Sequence, residues 1–258
     1  MTDITVSNFR IQYVDRLILA CFSTLTPIYF LYWCWTSFSW SGLLAVYLIA
    51  SILTMVRSIF GHRAWAHKAF TMHPILEYVG LFLFTLGGIG SSIGFTTLHR
   101  MHHRFSDTPK DPHSPSYVNI FKILFFISYA KIDGKYGIDL IRDKKHLFFF
   151  KHYWTINFGL FIILYIINPA LLSIWIAGLG LNIFKGNMVN VIGHTWKNPK
   201  PRNAMISSYL FLDGEFLHGN HHETPANWSF KKNWYEVDLS ALVLQIFEYF
   251  GIATIKRS

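Results

Sequence analysis

The sequence predicts an all-α integral membrane protein. Four transmembrane helices form two hairpins, joined by an in-plane helical segment and a cytosolic helical cap that holds a di-metal site. Three observations predict this. Of 258 residues, 52% are hydrophobic and only 14% charged, against about 25% charged in a soluble domain. The Lys and Arg residues leave two long gaps, Leu17 to Val56 and His152 to Phe184. Nine of the 13 histidines fall into three tight clusters and one isolated position beyond an apolar run. A single domain over residues 1–258 is the default for this length.

Each gap has room for two spans of roughly 20 residues. The first holds spans at about 17–35 and 43–60, joined at Ser37 to Gly42. It follows a polar stretch, Met1 to Arg16, and reads as a retained span, not a cleaved leader. The second gap holds spans at about 156–167 and 170–191, joined at Asn168-Pro169. The third span is short and borrows residues before Thr155. Neither join carries Lys or Arg, so both lie outside and the central loop and termini lie inside, on the cytoplasmic side.

A further apolar stretch, 75–98, is long enough to cross. A single crossing would put His67 and His99 on opposite faces, however, and Gly80, Gly87, Gly88, Gly90 and Gly94 weaken a helix there. The stretch therefore reads as lying in the interface or folding back. Net charge is +9. The cations flank apolar runs, which fits anionic lipid or an acidic protein and excludes nucleic acid as a partner. Cys21 and Cys34 form no CxxC, so neither a zinc ribbon nor an iron–sulfur cluster is indicated.

The clusters are His62 and His67; His99, His102 and His103; and His218, His221 and His222, with His194 alone. Imidazole is a good ligand for first-row transition metals, and nine exceed what one ion can use. An ideal helix advances about 100° per residue. His99 and His103 therefore share a face, and His102 points about 100° away. One helix can thus serve two metals, and His218 and His222 relate to His221 in the same way. His62 and His67, five apart, are served poorly by a straight helix, so the second span ends or distorts between them. Asp107, Asp111, Glu215 and Glu223 flank the clusters and are placed to orient imidazole N–H groups. His113 is placed either for that role or for a loop role.

At these residues the chain resembles the membrane fatty acyl desaturases, most closely the delta-9 branch that contains stearoyl-CoA desaturase. The resemblance is carried by Gly61-His-Arg-Ala-Trp-Ala-His67, His99-Arg-Met-His-His-Arg-Phe-Ser-Asp107, Asp111-Pro-His113, Asn190 to His194, and His218-Gly-Asn-His-His222. It implies an enzyme with two iron ions that inserts a cis double bond into a saturated long acyl chain, using O2 and two electrons. By similarity His62, His67, His99, His103 and His221 bind one iron. His102, His194, His218 and His222 bind the other, and Asn190 holds a metal-bound water. The acyl chain enters a closed tunnel whose far end Val46 and Ala50 are placed to limit.

The acyl-CoA branch has Trp-x-Arg-Asp before the second box, where this chain has Phe95-Thr-Thr-Leu98. Of the three candidate carriers, acyl-CoA, acyl lipid and acyl carrier protein, this counts against acyl-CoA and leaves the other two open. No His-Pro-Gly-Gly haem motif occurs, so electrons are expected from a separate ferredoxin or cytochrome. Lys144, Lys145, Lys231 and Lys232 are candidates to dock that donor or membrane lipid. Two rival readings stand beside the desaturase. One is a lipid hydroxylase or ketolase on the same scaffold. The other, more remote, is a metal transporter, whose site would lie near the bilayer midplane.

Overall fold

The computed structural model describes residues 13–126, 132–194 and 200–257. Most of the polar segment before the first span lies outside them. The chain is mostly helical, with three helices long and apolar enough to cross a membrane, or four if one bent pair counts as a span. The expected 17–35 span is α1, Tyr13–Thr36. The second is α2, Trp40–Val56, which continues without a break as a π-helical segment, Arg57–Ala66. Ser39 caps α2 by accepting from the Gly42 amide, which leaves a join of only three residues, Ser37 to Ser39, between α1 and α2.

The 75–98 stretch is not one segment. Phe70–Met72 forms β1. Helix α3, Pro74–Leu86, follows, capped by His73 with Pro74 at its start. Helix α4, Ser92–Phe105, then begins under a Ser91 cap. Between α3 and α4 the backbone turns through Gly88 and Gly90, at φ +73° and +91°, where a side chain would be strained. At 13 residues, α3 is about 20 Å long, short of the ~30 Å hydrocarbon core.

Three short helices follow: α5 (Ile120–Phe126), α6 (Ile138–Ile141) and α7 (Lys144–Lys151). The expected 156–167 segment is α8 (Tyr153–Ile167), which takes in residues before Thr155 as expected. With α7 it forms the bent pair, kinked by 52°. Asn168 caps α9, Pro169–Gly193, a helix of 25 residues. Helix α9 lies between α1 and α2. A Cβ at Gly180 would fall 2.0 Å from the Thr26 carbonyl oxygen of α1, so only glycine allows that approach, as at close helix contacts in membranes.

The cap ends in α10 (Met205–Phe211), α11 (His218–Glu223), α12 (Leu239–Tyr249) and β2 (Ala253–Ile255). β1 and β2 pair antiparallel, Phe70 opposite Ile255 and Met72 opposite Ala253. This two-stranded ribbon is the one departure from an all-α fold among the described residues. It fastens the C-terminus beside the first histidine cluster. Below it lies a core in which Trp65, Phe84, Phe149 and Leu244 join the π segment, α3, α7 and α12.

Candidate metal centre

The first cluster sits on the π-helical segment. In an i→i+5 ladder, residues five apart stand nearly above one another, and the His67 amide donates to the His62 carbonyl at 3.1 Å. The two rings lie 5.2 Å apart. The span distorts between them, as expected, but as a continuous change of helix type. π-Helical turns are rare and frequently occur at functional sites.

The imidazoles gather in two groups. His62, His67, His99, His103 and His221 form one; His102, His194, His218 and His222 form the other. Their ligand atoms lie within 4.8 Å of one another inside each group. His99 and His103 fall together and His102 apart, consistent with a 100° step along α4. His221 likewise separates from His218 and His222 on α11.

Every one of the nine Nε2 atoms points inward. The contacts are His62–His221 at 2.9 Å, His67–His99 at 2.8 Å and His103–His221 at 2.8 Å in the first group. In the second they are His102–His222 at 3.1 Å, His194–His218 at 2.8 Å and His218–His222 at 3.1 Å. Three rings are held from behind by carboxylates. His62 Nδ1 donates to Glu215 at 2.8 Å, His102 Nδ1 to Asp111 at 2.9 Å and His194 Nδ1 to Asp107 at 2.8 Å.

These contacts test whether the site suits a metal. A carboxylate only accepts, so Nδ1 carries the proton and Nε2 of His102 and His194 presents a lone pair. His222 and His218 must then each donate from Nε2, which sets N–H against N–H at 3.1 Å between them. No arrangement of neutral tautomers satisfies the second group. A cation among the four nitrogens does, and the donor set fits a transition metal. Burial, reinforced by neighbouring imidazoles, pushes His67, His99, His102, His218, His221 and His222 well below the usual histidine range. The same causes take His103 down to about 2. The rings stay in the neutral form that metals require.

The acidic residues divide. Asp107 and Asp111 share one loop. Asp111 also accepts from the Asp107 and His113 amides, and Asp107 accepts from Ser114 Oγ at 2.7 Å. Glu215 accepts from Ser58 Oγ at 2.5 Å as well as from His62. Burial pushes its carboxyl up, but His62, Arg63 and Arg57 outweigh this and hold it at about 2. Glu223 does not join them: it is 72% exposed and paired with Lys232, because it ends α11 on the face away from the imidazoles. His113 is buried and stacks on His102, with ring centroids 4.2 Å apart.

Asn190 lies on α9 one turn before His194, half-buried. Val46 and Ala50 are fully buried on α2, Val46 packing with Trp33 and Ala177. Of the cationic candidates, Lys144 and Lys231 are exposed. Lys145 is paired with Glu77.

Sequence reading missed the charged group behind His62. Arg63, fully buried, donates to both Asp238 oxygens at 3.0 and 2.8 Å and to the Trp228 carbonyl. It also donates to Ser58 Oγ. Its guanidinium lies 3.7 Å over the Phe230 ring. Lys185, inside α9, pairs with Asp213. The available signal was the presence of Arg57, Arg63 and Lys185 in otherwise apolar helices, where charge is costly and usually functional.

No family model matches the chain. Several relatives do. It is 30% identical over 231 residues to Delta-9 acyl-lipid desaturase 2 of Arabidopsis thaliana, covering 84% of this chain and 75% of that one. It is 29% identical to the sn-1 stearoyl-lipid 9-desaturase of a Synechocystis strain, covering 84% and 72%. It is 24% identical to an acyl-CoA C20 Delta5-desaturase of Anemone leveillei, covering 85% and 75%.

Proposed function

From the premise that the chain belongs to the O2-dependent fatty acyl desaturases, we propose that it inserts a cis double bond, at the delta-9 position, into a saturated long-chain acyl lipid. The observation that carries this reading is the convergence of nine imidazole nitrogens in two groups, in the smaller of which no set of neutral tautomers satisfies every contact. In this reading His62, His67, His99, His103 and His221 hold one iron, and His102, His194, His218 and His222 hold the second, with Asn190 placed to hold a water beside it. Two bound irons supply the oxidising chemistry: O2, two electrons and two protons become two waters as two hydrogens leave adjacent methylenes.

The chain's own residues set geometry and exclude water. Glu215, Asp111 and Asp107 fix the tautomer and tilt of three ligands, which also raises their basicity. Holding one C–C bond against the site is the protein's main contribution to rate, and a dry apolar surround limits side reactions. Ala50 precedes His62 by 12 residues, about 18 Å along the helix, where it is placed to end the acyl chain's path. Ala50→Phe is then expected to shift the product toward shorter chains in a gas-chromatographic profile, with iron content unchanged.

An acyl lipid is favoured as the carrier by the names of the Arabidopsis and Synechocystis relatives and by Phe95-Thr-Thr-Leu98 where an acyl-CoA enzyme has polar contacts. The histidine groups are assigned to the cytoplasmic side, at the ends of α2 and α9 that meet the cationic loops. Electrons come from a ferredoxin- or cytochrome-type donor, for which exposed Lys144 and Lys231 offer a cationic landing.

The test is the fatty-acid profile of a host expressing the chain, beside a His102→Ala, His222→Ala variant. A new monounsaturated acid that disappears in the variant is expected. A product heavier by one oxygen would replace desaturation with hydroxylation.

A further inference from the structure

The cap carries a helix whose outer face is left uncovered by the described residues. On α12, Leu242, Ile246, Tyr249 and Phe250 are all exposed, at positions i, i+4, i+7 and i+8, which place them on one face. Tyr249 is 85% exposed. The opposite face, with Ala241 and Leu244, is buried in the core beneath the histidines. A polar environment does not select such a stripe.

A second stripe lies beside it. On α3, Ile75, Tyr78, Val79 and Phe82 are exposed, again at helical spacing. The two helices are tied at one end by the β1–β2 ribbon, where the His73 amide donates to the Ile252 carbonyl at 2.9 Å. The C-terminal end of α12 and the start of α3 therefore adjoin.

Both helices are fixed in depth by α2. Ser58 lies 18 residues beyond Trp40, about 27 Å along the helix, within the ~30 Å hydrocarbon thickness. Trp40 is exposed at the outer end, where aromatic residues anchor spans. At the level of Ser58, Ser240 Oγ on α12 donates to the Asp213 carbonyl at 2.8 Å, and Ser58 Oγ lies 3.4 Å from the same oxygen. Asp238, the cap of α12, holds Arg63. On the α3 side, a Cβ at Gly80 would sit 2.4 Å from the Phe60 ring, so α3 is pressed against α2 at that same level. Along α2 itself, Leu44, Leu48 and Ile52 are exposed at i, i+4 and i+8, the one-sided apolar pattern that the two stripes repeat.

We propose that α12 is an in-plane membrane helix, and that its stripe and that of α3 are immersed together in the acyl-chain region of the leaflet on the histidine side. The occupant is lipid. The ribbon's exposed end carries Lys256 and Arg257, cations suited to the headgroup layer above those chains. The cap is therefore not wholly cytosolic. The helix that holds Arg63, and through Ser58 and Glu215 steadies His62, rests in the bilayer.

The test needs no catalytic activity, so its outcome is independent of the desaturase reading. In the full chain with Cys21→Ser and Cys34→Ser, a single cysteine replaces Ile246, Tyr249 or Val79, with Lys231→Cys as the reference on an exposed loop. Each is labelled with a small fluorophore and reconstituted in phosphatidylcholine vesicles, with or without nitroxide-bearing phosphatidylcholine. Nitroxide lipid is expected to quench the first three labels several-fold more than the label at 231, and aqueous iodide to do the reverse. Iodide quenching at 246 and 249 equal to that at 231 would overturn the proposal. So would protection from both quenchers that disappears as protein is diluted in lipid, which would assign the face to a second copy. Three sites on two helices keep the result decisive if one variant fails to fold.

Discussion

The two histidine groups differ less in their ligands than in what stands behind them. The group of five has one carboxylate, Glu215, and that carboxylate is shared with Ser58 and Arg63. The group of four has two, Asp107 and Asp111, from one loop, and among the described residues no cationic side chain other than imidazole is bonded to either. A ligand more leaves an anion fewer. A metal site can be completed with neutral nitrogens or with charge behind them, and under the proposed assignment each half uses a different balance. The smaller group is therefore the one that depends on every member.

Removing one ligand from each group tests this most severely. His222→Ala leaves three imidazoles in the group of four and is expected to abolish product and lower bound iron from about two per chain to about one. His67→Ala leaves four in the other group, as many as the smaller group has intact. It is expected to keep most of its iron while losing much of its activity. Iron counted by plasma emission on purified protein separates the two. Equal iron loss in both variants would remove the distinction.

Replacing the carboxylates gives the next largest effect. Asp111→Asn keeps the size of the side chain and removes its charge, and outer partners of this kind are worth roughly 10–100-fold in metal affinity. Release of iron to a chelator is expected to quicken by that factor for one of the two ions. Glu215→Gln should quicken release of the other ion and also lower thermal stability, because it takes a partner from buried Arg63. Asp111→Asn strands no such cationic partner among the described residues. If both variants melt alike, the network behind Glu215 is not what steadies the first group.

Much of this was legible in the sequence, for physical reasons that also mark the limit. Gaps in Lys and Arg located α1, α2 and α9 within a few residues, because charge is excluded where lipid is the solvent. The 100° step divided His102 from His99 and His103. The π-helical turn was foreseen only as a distortion, since spacing says that His62 and His67 need help and not what form the help takes. The join at Gly88 and Gly90 was visible as glycine but not as a break between two helices. Glu223 shows the weakness of adjacency: it neighbours His222 in sequence and faces away from it in space. Arg63 and Asp238, 175 residues apart, have no local signal of pairing at all. Nor does the β1–β2 ribbon, whose three-residue strands are too short to show an alternation.

The smallest effect concerns protons. In the metal-free chain the buried imidazoles are neutral when folded, with His103 lowered to about 2, whereas an unfolded histidine titrates near 6.5. The unfolded state therefore binds more protons below that pH. Stability is fully present above about 6.5 and is lost as the pH falls from there toward the folded values. Each such group contributes a slope of at most about 1.4 kcal/mol per pH unit. Metal-free protein in lipid nanodiscs is thus expected to melt at progressively lower temperature from pH 7 to pH 5. His103→Asn removes one group from the larger cluster and His218→Asn one from the smaller, and each should flatten the decline by one proton's share. A decline that neither substitution changes would place the titrating groups outside both clusters. A decline that only one changes would show that the two halves, alike in burial, are not alike in how tightly the unmetallated rings are packed.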